Sequence, residues 1–330
     1  MKRVLLIVGP FLATLAVALW FLGVFQPTPA VEPGTTPGTP TPPPAAPTVS
    51  STDLAAVEPL AEPKPDTPVL EKLVRVLVLG DRVAPFVVWL QQTWGNMDNV
   101  EWRSWYAMPL PDGAPRATEG VAPLERAPEA ADLDATDVLV LAGLDPASLP
   151  ADLWSRTVER VQSGRMGLLF VPDHLHAHAL ATQPSLASVA PVAGVRPLKP
   201  DAPGGPVPGV LSPARPFRIT AEGTKHPTTR LVPYTGWSEK LWKRRTEGEG
   251  AWKTPFVPVV TGPAPGASVL VEVAAGDRGM PAVVASSGTP TRVLWLGGFL
   301  DLDWDAYRKV SAIEPLIALA KWWVAWLAPK

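Results

Sequence analysis

Along residues 70–330, the spacing of apolar and polar positions changes between the pattern of strands and the pattern of helices. Leu73–Gly80 and Asp137–Gly143 are nearly continuous apolar runs that end in glycine, which is typical of strands buried on both faces. Pro85–Trp94 places its large apolar residues at helical spacing. The remaining predicted elements are strands at Val100–Tyr106, Met166–Val171, Ser268–Val273, Ala282–Ala285 and Arg292–Leu296, and helices over Pro150–Gln162 and 312–328. This order predicts an α/β fold with an open, mostly parallel sheet and helices on both faces.

The N-terminal segment has the pattern of a membrane anchor. Val4–Phe25 runs for 22 positions without an ionisable side chain, behind Lys2 and Arg3. As a helix it would span roughly 33 Å, close to the roughly 30 Å of a bilayer core. A cleaved signal peptide is the alternative, but its apolar region is usually about 7–15 residues long. We therefore expect residues 1–25 to be a retained single-pass anchor in a bacterial inner membrane. The basic flank predicts a cytoplasmic N-terminus and a periplasmic or extracellular globular domain.

Residues 26–69 differ sharply in composition from the apolar segment before them and from residues 70–330. They carry 13 of the 42 prolines, with many threonines and alanines and few large apolar groups. Such a segment cannot bury enough apolar surface to offset its ordering entropy, so we expect a disordered, extended linker. A plain spacer is the simpler interpretation, and a PxxP ligand for a partner domain is the alternative. The globular domain is then predicted over 70–330.

Two features of the composition exclude whole classes of function. The 330 residues contain no cysteine, which excludes disulfides, thiolate zinc sites, iron–sulfur clusters and cysteine nucleophiles. The formal net charge is −2 and the pI is near 6.1, which argues against electrostatic binding of nucleic acid. We therefore expect no nucleic-acid partner.

Several phrases of the chain together resemble a known family. They are LVRVLVLG, DVLVLAGLDP, GRMGLLFVPD, TKHPTTRLVP, PGASVLVEV, RVLWLGG and KWWVAWLA, spread over most of 70–330. In this order they resemble the class I glutamine amidotransferase-like domains found beside von Willebrand factor A-type membrane proteins in bacterial operons. The resemblance implies a flavodoxin-like fold and, as partners, other cell-envelope proteins, such as those of the von Willebrand factor A type.

The residues that make that family catalytic are missing. Active class I amidotransferases place a cysteine on a tight turn after a strand and a His-x-Glu pair near the C-terminus. The corresponding turn here reads Pro172-Asp173-His174, and the later segment Gly297–Asp301 contains no histidine. The resemblance therefore implies an inactive, amidotransferase-like domain used for binding or assembly.

Three residues at predicted strand ends are candidates for ligand binding. Asp81, Gly143 and Asp173 each follow a strand, at the edge where open α/β sheets bind ligands. A small molecule or a glycan is the class of ligand expected there. For Asp81 the alternative, which we favour, is a helix cap ahead of Pro85.

His174, His176 and His178 are the best candidates for metal binding. In an extended segment alternate histidines share a face and, with Asp173 or His226, could hold zinc. A metal-dependent hydrolase would follow. The alternative is a surface cluster, because the Ala179–Ala181 run favours a helix that turns His176 away from the other two histidines.

Two tryptophan-bearing regions are candidates for a partner surface. The first carries the strongest basic patch, formed by Trp237, Trp242, Arg244 and Arg245. The second is the C-terminal helix, where Trp322 and Trp326 extend the apolar face. Either this helix docks on the sheet with its flank covered by loops, or it exposes an aromatic strip to a partner or the bilayer interface.

Together these observations favour a non-catalytic, membrane-anchored cell-envelope protein that needs no cofactor. The alternatives are a small-molecule or glycan-binding domain and a zinc-dependent hydrolase.

Overall fold

A computed structural model describes residues 68–108, 124, 126–199, 207–232, 235–247, 251–275, 278–286, 290–300 and 310–330. These residues belong to one compact unit, Ala61–Lys330. The predicted anchor over 1–25 lies outside the described residues, and so does the predicted linker except for its last two positions. Within the described ranges, no helix combines the length and the apolar character needed to cross a bilayer.

The described residues form a nine-stranded sheet whose first half is parallel. Its strands, from one edge to the other, are β2 (Val100–Tyr106), β1 (Val74–Gly80), β3 (Val138–Ala142), β4 (Gly167–Val171), β11 (Val293–Leu296), β10 (Arg278–Ser286), β9 (Ala267–Ala275), β6 (Val210–Ile219) and β7 (Lys253–Phe256). The first five are parallel to one another, and the last four join in antiparallel pairs. A separate two-stranded ribbon pairs β5 (Val192–Ala193) with β8 (Gly262–Pro263). The predicted parallel sheet is therefore confirmed for the five strands from β2 to β11, and four antiparallel strands extend it on one side.

Helices cover both faces of the sheet, as predicted. They are α1 (Pro85–Gly95), α2 (Ala130–Asp134), α3 (Ala151–Gln162), α4 (Ala177–Thr182), α5 (Thr235–Thr246) and α6 (Val310–Leu327). One hydrophobic cluster joins α1, α5 and α6 to one face, and a second joins α2, α3 and α4 to the other. β1 shows why both layers are needed, because Val76 and Val78 belong to the first cluster while Leu77 and Leu79 belong to the second.

The parallel strands follow the order of a doubly wound sheet. Read across the sheet from the β2 edge, the five parallel strands are the second, first, third, fourth and fifth to occur in the chain, which is the flavodoxin-like order. β1 lies between β2 and β3, so the connections leave it in opposite directions. The carboxyl ends of β1 and β3 therefore mark the point where such folds open a crevice.

Candidate functional site at the carboxyl ends of the parallel strands

A cavity of about 210 Å³ opens where the carboxyl ends of β1, β3 and β4 meet. It is lined by Arg82, Val83, Ala84, Pro85, Ala142, Gly143, Asp173 and Leu300. The loop from β1 to α1 supplies three of these residues, the first residue of α1 supplies a fourth, and the ends of β3 and β4 supply three. The cavity therefore lies at the switch point of the sheet, where the strand order directs a ligand.

The three residues predicted at strand ends meet beside this cavity. The backbone N–H of Asp81 donates to the Gly143 carbonyl at 3.4 Å, and the Gly143 N–H donates to the carbonyl of Val171, two residues before Asp173, at 3.0 Å. Gly143 has φ +54°, and a Cβ there would lie 3.1 Å from Oδ2 of Asp173. The backbone conformation therefore favours glycine, and an added Cβ would also press on the Asp173 carboxylate. The predicted proximity is observed, and ligand binding by Asp81, Gly143 and Asp173 stays a prediction.

His176 bridges the two carboxylates of the site. Its Nδ1 lies 3.0 Å from Oδ1 of Asp173, and its Nε2 lies 3.3 Å from Oδ2 of Asp81. Both aspartates are buried. Asp173 Oδ1 also accepts the backbone N–H groups of Leu175 at 3.1 Å and of His176 at 2.8 Å. The loop after β4 is therefore folded around Asp173 and tied to the loop after β1.

The interpretation of Asp81 as a helix cap is wrong. α1 begins after Ala84, which occupies the cap position, and no side chain accepts a hydrogen bond there. Asp81 lies three residues earlier, where its Oδ1 accepts the backbone N–H of Asp145 at 3.1 Å. Proline at the first position of the helix removes one N–H that would otherwise need a cap, so the helix starts without Asp81.

The three clustered histidines contact different parts of the chain. His178 donates from Nδ1 to the Val195 carbonyl at 2.7 Å, and His174 packs edge-on against Phe256 with ring centroids 5.9 Å apart. His176 faces the two aspartates, and α4 begins directly after it, as the alanine run predicted. Among the residues that the structure describes, no group of three or more histidine, aspartate or glutamate side chains is arranged to hold a metal. The zinc site predicted on His174, His176 and His178 is not formed there.

The basic tryptophan region is a core element with a charged outer face. Trp242 is only 2% exposed, so its assignment to a partner surface is wrong. Its indole N–H donates to the Thr229 carbonyl at 2.8 Å, and its ring meets Trp252 at 85°. Arg245 packs over Trp252 with its guanidinium carbon 6.0 Å from the ring, and burial lowers the pKa of Arg245. Arg244 is exposed, and the side chain of Trp237 lies outside the described residues.

The C-terminal helix is docked and its flank is covered. Trp326 is half-buried against His226, with ring centroids 5.2 Å apart, and Trp322 is half-buried under the guanidinium of Arg230, at 5.9 Å. The neighbouring Trp323 is buried and donates its indole N–H to the Thr228 carbonyl at 2.9 Å. The docking of this helix, which the first alternative predicts, is observed, and a partner surface on Trp322 and Trp326 stays a prediction.

Sequence reasoning missed two features of the site. Arg82 follows Asp81 directly and lines the cavity, but a single arginine in a loop gave no signal. The contact of His176 with both aspartates was not predicted, because three histidines within five residues suggested that all three bind one metal ion. The signal that could have found it was position: Asp173 and His176 are three residues apart at a turn after a strand, the spacing of a side-chain–backbone cap.

Comparison with known proteins identifies no family for this chain. No protein-family model and no curated protein matches it. Among solved structures, the mmIFT52 N-terminal domain is 12% identical with a TM-score of 0.38, covering 74% of this chain and 99% of that domain. A protein from Thermoplasma acidophilum, described as one of the subunits of GMP synthase, is 9% identical with the same TM-score, covering 78% of this chain and 96% of its own. What is established is an α/β fold with a largely parallel central sheet, and it rests on the strand order described above.

Proposed function

We propose that this chain is a non-catalytic, membrane-anchored protein of the bacterial cell envelope. In this proposal its amidotransferase-like domain serves binding or assembly with other envelope proteins, among them membrane proteins of the von Willebrand factor A type. One observation carries the proposal: in the loop after β4, where an active amidotransferase of this type would place its nucleophile, Asp173 and His176 contact each other, and His176 also contacts Asp81.

The chemistry of that loop supports the absence of catalysis. The chain has no cysteine, and the turn after β4 offers Pro172, Asp173 and His174 in its place. The Asp173 carboxylate accepts two backbone N–H groups and contacts the His176 ring. Both ring nitrogens of His176 face carboxylates, so neither is placed to take a proton from a nucleophile. Because these donors and acceptors satisfy one another, we expect them to stabilise the conformation of the loop rather than to catalyse acyl transfer.

The N-terminal sequence supports the location. The 22 apolar positions of Val4–Phe25, after two basic residues, fit a membrane anchor, and the proline-rich stretch after them fits a spacer. A domain held at a membrane by a long spacer reaches proteins in the same membrane at high effective concentration.

Two measurements on the detergent-solubilised full chain test the proposal. Incubation with glutamine should release no ammonia above a buffer control, and affinity purification after mild cross-linking in membranes should recover defined envelope proteins in fixed ratio. Release of ammonia that depends on the protein would overturn the non-catalytic assignment. A chain that elutes without partners from cross-linked membranes would overturn the assembly role.

A small-molecule or glycan-binding role is the second candidate, and the cavity at the switch point favours it. Its volume of about 210 Å³ is below the roughly 300–1,000 Å³ typical of pockets for drug-sized ligands. Only a small ligand or part of a glycan would fit. Thermal-shift screening against sugars and peptidoglycan fragments tests this role, with the cavity-blocking variant Ala84→Phe as control, since a true ligand should lose its effect on that variant.

A further inference from the structure

Two of the most exposed large apolar side chains belong to loops that are hydrogen-bonded to the site. Met108 and Leu175 are each 56% exposed. Both are fixed by their backbones to the site, since the Met108 N–H donates to the Asp81 carbonyl at 2.8 Å and the Leu175 N–H donates to Asp173 Oδ1 at 3.1 Å. His176 joins these two aspartates, so the two apolar side chains stand on one connected framework. Apolar side chains exposed beside a concave site offer surface that a bound molecule can cover.

Arg82 adds an available positive charge at the same place. Its side chain is exposed and lines the cavity, and it makes no hydrogen bond or ion pair within the described ranges. The nearby carboxylates are engaged elsewhere: Asp81 and Asp173 with His176, and Asp145 with the backbone N–H of Ala147 at 3.0 Å. The guanidinium is therefore free to pair with an incoming carboxylate.

The cavity has the size and lining for one apolar side chain. Val83, Ala84, Pro85 and Leu300 provide much of its wall. A dry cavity of about 150 Å³ is known to hold benzene, so a cavity of about 210 Å³ accepts a group as large as a phenyl ring. Protein interfaces commonly place one anchor side chain in such a pocket and surround it with contacts that exclude water.

We propose that this carboxyl-end face of the sheet docks a segment of a partner protein. The segment places one aromatic or large aliphatic side chain in the cavity and an aspartate or glutamate on Arg82, while Met108 and Leu175 pack beside it. The proposal rests on the assembly role given above and names the surface that performs it. Charge complementarity selects the partner, because the only unpaired charge that lines the cavity in the described structure is positive.

Selection from a random peptide library displayed on phage, with the full chain in detergent micelles as target, tests the proposal. Enriched peptides should share a large apolar residue next to Asp or Glu. Their synthetic, fluorescein-labelled forms should bind the wild-type chain by fluorescence anisotropy. The variants Arg82→Glu and Leu175→Ser should each weaken binding by about tenfold or more. Val210→Ser is the matched control, because Val210 is 54% exposed on β6 and should leave binding unchanged.

A charge swap makes the test specific. A peptide whose acidic residue is replaced by lysine should fail on the wild-type chain and regain binding on Arg82→Glu. The proposal would be overturned if no peptide were enriched, if the enriched peptides lacked an acidic residue, or if they bound all variants equally. It would also be overturned if the chain associated with itself and Leu175→Ser abolished that association, because the surface would then bind a second copy. If envelope proteins still co-purify with Arg82→Glu and Leu175→Ser in undiminished amount, this surface is wrong while the assembly role stands. Glutamine turnover would instead remove the proposed function.

Discussion

Nε2 of His176 lies 3.3 Å from Oδ2 of Asp81, and this contact ties the loop after β4 to the loop after β1. The two residues are 95 positions apart in the chain and meet at the carboxyl edge of the sheet. Asp81 is buried and His176 is half-buried, and Oδ1 of Asp173 lies 3.0 Å from the other ring nitrogen of His176, Nδ1. The contact therefore connects the segments that follow β1 and β4, beside the cavity.

Replacing His176 by alanine should destabilise the protein. The substitution leaves the buried carboxylates of Asp81 and Asp173 without their shared partner, and we expect the free energy of unfolding to fall by about 1–3 kcal/mol. Urea unfolding followed by circular dichroism measures it. Adding Asp81→Asn to both the wild type and His176→Ala completes a double-mutant cycle. Strictly additive effects in that cycle would show that the 3.3 Å contact contributes nothing.

His226 should make stability depend on pH. Burial lowers the pKa of His226 from 6.5 to about 4. Between these two values the unfolded chain binds a proton that the folded chain does not, so stability should fall as pH decreases from about 6.5 to about 4. The ring is partly exposed, so we expect a loss on the order of 2 kcal/mol rather than the full value of the shift.

The variant His226→Gln isolates this effect. Glutamine keeps an acceptor for the Thr228 N–H, which donates to Nδ1 of His226 at 3.3 Å, but it does not titrate. Unfolding free energies measured at several pH values should converge for the two proteins near pH 4 and diverge toward pH 7, with the wild type showing the steeper slope. If the unfolding free energies of the two proteins changed in parallel between pH 4 and pH 7, the titration of His226 would not be the cause of the pH dependence.

Gly143→Ala should be costly, and Gly95→Ala should not. A Cβ at Gly143 meets Oδ2 of Asp173 at 3.1 Å and Cδ1 of Leu300 at 3.3 Å, in a left-handed backbone with φ +54°. We expect a loss of about 1–3 kcal/mol from the backbone and the contacts together. At Gly95, the last residue of α1, a Cβ meets nothing within 4 Å, and alanine should be neutral or stabilising by up to about 1 kcal/mol. Thermal unfolding of both variants measures the difference in stability. Similar melting temperatures for the two variants would contradict the close approach at Gly143.

The parallel half of the fold was predictable because most of its strands are buried on both faces. Apolar runs such as the one ending at Gly80 can be recognised without knowing their partners in the sheet. The rule that ligand sites lie at strand ends brought Asp81, Gly143 and Asp173 together, and their binding of a ligand stays a prediction. The strand β6 was missed because it contains Pro213 and Pro216, which usually exclude a central strand. Its pairing with β7 shifts register between Val210 and Arg215, around Pro213, and its pairing with β9 begins only at Phe217.

The tryptophans could not be placed from the sequence, since their partners are distant in the chain. Trp242 stands among lysines and arginines, which suggested a surface, yet its N–H reaches the Thr229 carbonyl and its ring enters the core. The basic side chain of Arg244 lies on the outside of the same helix. The lysines and arginines of the sequence therefore indicated only the exposed face of α5. Which residues form its buried face depends on contacts with segments that are distant in the chain.

Trp94 and Trp102 offer a matched test of one buried hydrogen bond. Their rings pack together with centroids 5.7 Å apart, and both are almost fully buried. The indole N–H of Trp94 donates to the Ala320 carbonyl at 2.7 Å, which joins α1 to α6. The indole N–H of Trp102 has no hydrogen-bond partner in the part of the chain that the structure describes.

Replacing each tryptophan by phenylalanine removes the same volume, so the difference between the two variants reports the hydrogen bond. We expect Trp94→Phe to lower the free energy of unfolding by at least about 1 kcal/mol more than Trp102→Phe does. The cause is that the first change removes a satisfied donor between two helices, while the second removes a donor that was already unsatisfied. Urea unfolding of both proteins at one pH measures the difference. Equal costs for the two variants would mean that the link from α1 to α6 is held by apolar packing alone.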